Sequence, residues 1–205
     1  MNQDLDKELR EALQQDKYDL QLFLRFLKSY VVSGSQPEKQ LLLGILLQAL
    51  PRFHTSDFSA CISLISSHVQ DASYIEKDII LIYDLENYLS SGNFPQFWQV
   101  WRESEGTLPA RPSFEPNMRA AILTVIGCTL GHIQTKDLSV YLGLKSGEKL
   151  EEVLREAARI AGDAVQLVGA DEQAVVFQKS VFNAPESDSN QELKRFSDTV
   201  TIVSL

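Results

Sequence analysis

Cysteine, basic charge and long apolar runs are all scarce in this chain of 205 residues. Cys61 and Cys128 are its two cysteines, and each lies in an apolar helical pattern, where free cysteine behaves as a small hydrophobic residue. A disulfide-stabilised secreted fold is therefore disfavoured, and a reducing cytosolic or nuclear setting is expected. The longest apolar run, 120–130, has about half of the ~20 residues that a membrane span needs. We therefore expect no membrane insertion.

Positive charge is scarce because 19 Lys and Arg residues are outnumbered by 28 Asp and Glu residues, which gives a net charge of −9. The electrostatic field around such a chain repels phosphate groups. Autonomous binding of DNA is therefore disfavoured, and RNA contact is expected only within a larger assembly.

Catalytic and metal-binding motifs are absent from the sequence as well. It contains no glycine-rich phosphate loop, no nucleophile elbow and no zinc-protease motif. Cys61 and His68 are seven residues apart, ~10 Å along a helix, which is too far for a nucleophile and its base. The sequence therefore predicts no enzyme, no cofactor and no metal site.

Apolar residues recur every three or four positions from the N-terminus to about residue 161, which predicts a succession of packed helices. The first two are expected at 4–15 and 19–32, the second with Asp19 as its N-cap. A capping box formed by Ser35 and Glu38 is expected to open the third. Four further helices follow, and no fixed repeat length relates them, so the array resembles degenerate helical hairpins.

Shorter elements follow residue 134. Two helices are predicted at 136–142 and 147–161, the latter capped by Ser146, and two β-strands at 164–168 and 174–178 form a hairpin. This is the order of a winged helix. We therefore predict a mainly α fold with a helical-repeat-like array over 1–112, a winged-helix domain with its connecting helix over 113–182, and a tail over 183–205.

The helix predicted at 147–161 is the element that a DNA-binding winged helix would place in the major groove. Residues 146–161 carry three basic and four acidic side chains. We expect Glu148, Glu151, Glu152 and Glu156 to line its outer, solvated face. Such a face repels DNA, so a transcription regulator is a disfavoured interpretation.

Aromatic residues are concentrated in one stretch, with Phe94, Phe97, Trp98 and Trp101 at helical spacing. A base-stacking platform needs basic residues between the rings, and Arg102 is the one nearby. We therefore interpret these rings as core.

Two apolar sets are candidates for binding a protein partner. A small hairpin has an edge strand that can pair with another chain, and the tail carries an apolar stripe that too little remaining chain could cover. The tail supports both a helix and a strand, because its apolar residues are helically spaced but 199–203 is β-branched throughout. The candidate partner-binding residues are Val165, Leu167, Val175, Phe177, Leu193, Phe196, Val200 and Val203.

Several short stretches resemble one known family in the same order along the chain. They are Tyr18-Asp19-Leu20, Leu27-Lys28, Tyr30, Leu50-Pro51, His54-Thr55, Asp57-Phe58, Phe94, Phe97-Trp98, Phe114-Glu115, His132-Ile133 and Leu142-Gly143. Over 17–145 the sequence resembles the small scaffold subunits that carry the assembly (PCI) domain in the proteasome lid, the COP9 signalosome and eukaryotic translation initiation factor 3. The similarity is strongest to the initiation factor 3 members.

The resemblance implies a helical (HAM) domain followed by a winged helix, without catalytic residues or cofactors. It implies a scaffold role in translation initiation, with the other subunits of initiation factor 3, chiefly subunit L, as partners, and contact with the 40S ribosomal subunit through the complex. The alternative is the corresponding small subunit of the COP9 signalosome or the proteasome lid.

Overall fold

The computed structural model describes residues 2–35, 37–69, 77–109, 111–170, 173–180 and 182–183. Its helices and strands are α1 (Asn2–Gln14), α2 (Leu20–Ser33), α3 (Lys39–Ala49), a 3-10 turn (Leu50–Arg52), α4 (Asp57–Val69), α5 (Lys77–Ser90), α6 (Phe94–Glu103), α7 (Phe114–Thr129), β1 (His132–Gln134), α8 (Thr135–Tyr141), α9 (Leu150–Ala161), a second 3-10 turn (Gly162–Ala164), β2 (Leu167–Ala170) and β3 (Ala174–Phe177). The predicted fold class, a helical array followed by a small winged helix, is confirmed.

Helix α2 illustrates how local signals and burial agree. Asp19 is its N-cap, and the Asp19 Oδ1 atom accepts a hydrogen bond of 3.0 Å from the Leu22 N–H. Gly34 ends the helix in the left-handed conformation, which glycine adopts without steric strain. The apolar face between these ends is buried, and α2 packs against α1 and α4. The helix therefore begins at the cap that its sequence predicts.

Two predicted helix starts are wrong, because acidic side chains bind elsewhere. The capping box does not form: α3 begins at Lys39, and Glu38 makes no side-chain cap but pairs with Arg10 of α1. Helix α9 begins at Leu150 and is not capped by Ser146. Glu148 precedes that helix and accepts hydrogen bonds from the Lys145 N–H and from Arg119, so it does not lie on the outer helical face.

The core runs from the helical array into the winged helix. Within the array, α1 and α4 each pack on α2 and α3, and α5 packs on α3. Helix α6 packs on α5 and α8, and α7 packs on α9 and the first 3-10 turn. The four aromatic side chains of α6 are buried, with Phe97 fully enclosed and Trp98 only 2% exposed. The interpretation of this aromatic stretch as core is confirmed.

The two cysteines differ in environment, and both are free thiols. Cys61 is buried in α4, as predicted. Cys128 is exposed, which corrects the prediction that it packs as a small hydrophobic residue. The reason is its position in the last turn of α7, which ends one residue later at Thr129.

The sheet has three strands in the order β1-β3-β2, and both pairings are antiparallel. The hairpin of β2 and β3 is confirmed, although β2 begins at Leu167 and contains an irregularity between Leu167 and Gly169. Strand β1 was not predicted, because three residues are too few to show alternation. The tail residues Leu193, Phe196, Val200 and Val203 lie outside the described residues.

Candidate partner interface

The hairpin's larger apolar side chains point into the molecule. Val165, Val175 and Phe177 are buried in the core, and Leu167 is half-buried against it. Helix α7 lets them approach closely through Gly127, where an added Cβ would lie 3.1 Å from Phe177 Cδ1. In the described conformation these side chains attach the hairpin to α7, so the first three are not available to a partner. Partner binding by the hairpin stays a prediction, but it must use the opposite face.

Four apolar residues in the strands and in the segments beside the sheet are exposed, and we call them the sheet patch: Leu130, Val168, Val176 and Phe182. Val168 and Phe182 are the most open, at 70% and 78% exposure. The segments next to Leu130 and Phe182 are held by hydrogen bonds: the Phe177 N–H of β3 donates to the Gly131 carbonyl, and the Asn183 side chain donates to the Gly127 carbonyl of α7. Exposed apolar residues that form a continuous patch mark protein-binding surfaces more often than scattered ones do.

The sheet patch continues to an exposed strand edge. Strand β2 lies at one edge of the sheet, and its residues 168–170 are all exposed. An edge strand presents backbone N–H and C=O groups to which an added strand can bond. The irregularity beside Gly169 limits such pairing to a short length. The edge therefore suits a defined protein contact better than extended aggregation.

A buried arginine fixes the winged helix against α7. Arg119 lies within α7 and is 6% exposed. Its Nη2 and Nη1 atoms donate to the two carboxylate oxygens of Glu148 at 2.7 and 3.3 Å, and its Nε atom donates to the Leu142 carbonyl at 3.1 Å. Partial burial disfavours the charged form of Glu148. The hydrogen bonds from Arg119 and from the Lys145 N–H, together with the positive charges of both side chains, outweigh it, so the pKa of Glu148 lies below its ordinary value.

The turn between α8 and α9 is shaped by a tryptophan of the array. Gly143 has a φ of +61°, and a Cβ there would lie 2.4 Å from the Trp98 ring. The Trp98 Nε1–H donates to the Tyr141 carbonyl at 2.8 Å, and Arg102 donates to the Gly143 carbonyl at 2.8 Å. Only glycine fits this position. The turn therefore holds α8 and α9 at a fixed position relative to α6.

Helix α9 exposes mixed charge with a small acidic excess. Glu151, Glu152 and Glu156 are exposed, and so are Arg155 and Arg159. Its apolar face, which includes Val153, Leu154 and Ala157, is buried and packs on α7. No continuous basic surface faces outward along this helix, so its charge does not favour entry into a DNA groove.

The titratable groups of the described chain do not form a catalytic constellation. Burial raises the pKa of the Cys61 thiol to about 12, so this thiol is not ionised at neutral pH. Burial and the nearby Arg52 charge lower the pKa of His54. Across the described ranges, no group of three or more His, Cys, Asp or Glu side chains could hold a metal ion. None of the helices in those ranges is long and apolar enough to cross a membrane.

Sequence reasoning missed two positioning residues and the sheet patch. Arg119 stands one residue after Met118 at the start of an apolar stretch, and a charge inside such a run is the signal that could have identified it. Gly143 falls between the helices predicted at 136–142 and 147–161, but its contact with Trp98 depends on tertiary structure. Val168 and Val176 fall in β sequence that does not say which side faces the core.

A helical array that ends in a winged helix, with a mixed-charge α9 and exposed apolar residues beside the sheet, is the architecture expected of an assembly module that binds other proteins. The sequence profile of the CSN8/PSMD8/EIF3K family matches residues 37–172, and the chain belongs to this family. The resemblance found in the sequence is thereby confirmed.

Three relatives of this chain are each named subunit K of eukaryotic translation initiation factor 3. The chain is 26% identical over 185 residues to eukaryotic translation initiation factor 3 subunit K of Homo sapiens, a match that covers 90% of this chain and 83% of the human protein. It is 26% identical over 167 residues to subunit K of Nematostella vectensis, covering 82% and 76% of the two chains. The subunit K of Danio rerio is 28% identical over 139 residues, covering 68% and 62%.

Proposed function

We propose that this chain is a non-catalytic scaffold subunit of eukaryotic translation initiation factor 3, in the position of subunit K, and that it acts in translation initiation through protein contacts. The observation that carries the proposal is the similarity to subunit K proteins over most of both chains. The exposed sheet patch supports a protein-binding role, since the described part of the chain brings no catalytic set together.

The proposal extends to partners and place of action. Other subunits of initiation factor 3 are the partners, subunit L is the principal neighbour, and the complex carries the chain to the 40S ribosomal subunit in the cytoplasm. The sheet patch is the surface proposed for the neighbouring subunit, because it combines apolar side chains with an open strand edge. A net charge of −9 fits contact with the ribosome through other subunits rather than through direct gripping of RNA.

Affinity purification of the tagged chain, followed by mass spectrometry, tests the proposal. We expect recovery of initiation factor 3 subunits, with subunit L retained most strongly at high salt. A double variant, Val168→Glu with Val176→Glu, should lose subunit L because it buries two charges at an apolar contact. Val32→Glu is the matched control, because Val32 is 80% exposed and lies on α2 in the helical array.

The variants must first be shown to fold. Thermal melting within about 3 °C of the unaltered chain is expected for both, because surface substitutions typically change stability by less than ~0.5 kcal/mol. If the double variant melts normally and retains subunit L, the sheet patch is not the contact. If the unaltered chain recovers no initiation factor subunits, the proposed complex itself is wrong.

A second candidate complex follows from the family itself. The family's name joins CSN8 and PSMD8 to EIF3K, so the same fold serves other assemblies. Recovery of COP9 signalosome or proteasome lid subunits in the same purification would move the chain to that role. The names of its relatives favour initiation factor 3.

A further inference from the structure

The three strands present a row of exposed residues on the outer face of the sheet. Val176 stands at its centre, and because both neighbours of Val176 on β3 are buried, its side chain points away from the core. His132 of β1 pairs with Val176 on one side. On the other side, the irregularity in β2 sets two residues, Val168 and Gly169, opposite Val176. All four residues are exposed, and we call them the outer row.

The last residue that the structure describes, Asn183, is held beside this row. Its Nδ2 atom donates to the carbonyls of Gly127 and Gln178, both at 2.9 Å, and its Oδ1 atom accepts from the Ser180 N–H at 2.7 Å. A Cβ added at Gly131, which directly precedes β1, would lie 3.8 Å from the Asn183 carbonyl oxygen. The chain that follows Asn183 therefore starts from a fixed point next to the sheet.

Residues 184–205 consist of a polar segment and then an apolar stripe. The polar segment, 184–192, contains three acidic residues and no basic one. The stripe, which we call the tail stripe, is Leu193, Phe196, Val200 and Val203. Steps of three and four residues place these side chains on one face of a helix. In a strand, Leu193 and Phe196 would point to opposite faces, so only a helix presents the whole stripe to one surface.

The polar segment is long enough to bring the tail stripe over the outer row. A flexible segment of its nine residues spans roughly 17 Å, whereas the outer strands of the sheet lie only about 10 Å apart. A helix over 193–203 would be ~16 Å long, enough to cross all three strands. A short tether gives the stripe an effective concentration of about 1 mM at the sheet. Even a weak contact, with an intrinsic dissociation constant of ~0.1 mM, would then be closed about nine-tenths of the time.

We propose that, in the isolated chain, the tail forms a helix over 193–203 that packs its stripe on the outer row, and that a partner must displace this helix to bind the sheet patch. The tail is the occupant that the observations favour, because it starts at the sheet, carries its apolar residues on one helical face and needs no second molecule. Only the identity of the displaced partner rests on the proposed function.

Hydrogen exchange of the full isolated chain, followed by mass spectrometry, tests the contact. Backbone amides of 193–203 should exchange about tenfold more slowly than in a free peptide of the same sequence, because the contact is closed most of the time. The slowing should be equal in dilute and concentrated samples, because the contact lies within one chain. Exchange as fast as in the free peptide would overturn the proposal. Slowing that grows with protein concentration would also overturn it, since a second copy would then be the occupant.

Two tail substitutions form a matched pair, because each replaces a β-branched apolar residue by glutamate. Val200 belongs to the tail stripe, whereas Ile202 lies on the opposite face of the same helix. Val200→Glu should abolish the slowing, and Ile202→Glu should leave it unchanged. Val176→Glu should abolish it from the side of the sheet, with a melting temperature that stays near that of the unaltered chain. Equal effects of the two tail substitutions would contradict the helix, and slowing that survives Val176→Glu would contradict the outer row as its site.

Purification of the tagged chain gives a second readout. If the tail competes with the partner, Val200→Glu should increase the recovery of subunit L by up to about tenfold. Loss of subunit L in this variant would mean that the tail stripe binds the partner directly, which would overturn the proposal. Hydrogen exchange is measured without any partner, so failure of the tail contact and failure of the proposed complex are distinguishable.

Discussion

Removing the Arg119 side chain should destabilise the winged helix more than any exposed substitution. Arg119→Ala deletes two hydrogen bonds to Glu148 and two to the carbonyls of Leu142 and Gly143. The Gly143 carbonyl keeps its bond from Arg102, and Glu148 keeps its bond from the Lys145 N–H. No other described donor reaches the Leu142 carbonyl.

The magnitude follows from burial. Breaking a buried ion pair by removing one partner typically costs about 3–5 kcal/mol. The Glu148 side chain is 32% exposed, so water can solvate part of the remaining charge, and the lower end of the range applies. We therefore expect about 3 kcal/mol. In a chain of this size that lowers the melting temperature by roughly 6–12 °C.

Urea unfolding followed by tryptophan fluorescence is the assay, since both tryptophans, Trp98 and Trp101, lie on α6 beside the affected turn. The midpoint should fall with an unchanged slope, because the folded surface stays the same. Glu148→Gln should cost less, about 1–2 kcal/mol, because Arg119 keeps its carbonyl acceptors. Arg155→Ala on the exposed face of α9 is the control and should cost under ~0.5 kcal/mol. A loss below ~1 kcal/mol in Arg119→Ala would refute the reasoning.

Three further predictions concern other groups. Gly143→Ala should lower the free energy of unfolding by more than about 3 kcal/mol, because the added Cβ would clash with Trp98. Gly147→Ala should cost only ~1–2 kcal/mol, because its added Cβ would meet no atom within 4 Å and only the positive φ is strained. Equal urea midpoints for the two variants would contradict this. Cys128 should react with a thiol reagent in the folded chain, whereas Cys61 should react only after unfolding, because burial raises the pKa of its thiol to about 12. The absorbance of the released reagent should therefore rise in one fast and one slow phase. Two fast phases would contradict the prediction. The pKa of Glu148 is lowered from 4.5, so its stabilisation is present above that pH and is lost as pH falls through the lower folded value. The stability difference between the unaltered chain and Glu148→Gln should therefore shrink between about pH 5 and pH 3, and a difference that grows on acidification would contradict the assignment.

The sequence predicts the helices well where capping and periodicity agree. Asp19 caps α2 as expected, and its side chain accepts a hydrogen bond from the backbone N–H three residues on. These signals are local, so they need no knowledge of the rest of the chain. Glu38 and Glu148 show where such local signals fail. Each carboxylate lies near a helix start, but it pairs with an arginine that is distant in the sequence and so does not cap the helix.

The candidate interface was predicted less well than the fold. The hairpin's existence follows from two β-rich runs, but which side of it packs on α7 depends on Gly127, whose lack of a side chain admits Phe177. The larger side chains therefore face inward, and Val168 and Val176 are left outside. The partner-binding role of either side stays a prediction.

The contact between Trp98 and Gly143 has a consequence for dividing the chain. The proposed boundary at residue 112 puts the ring on one side and the glycine turn on the other. A fragment that ends there would leave the indole uncovered, and its complement would lack the surface on which the α8–α9 turn is shaped. The two regions are therefore expected to be co-dependent, so that mixing separately made halves restores a native spectrum while either half alone does not.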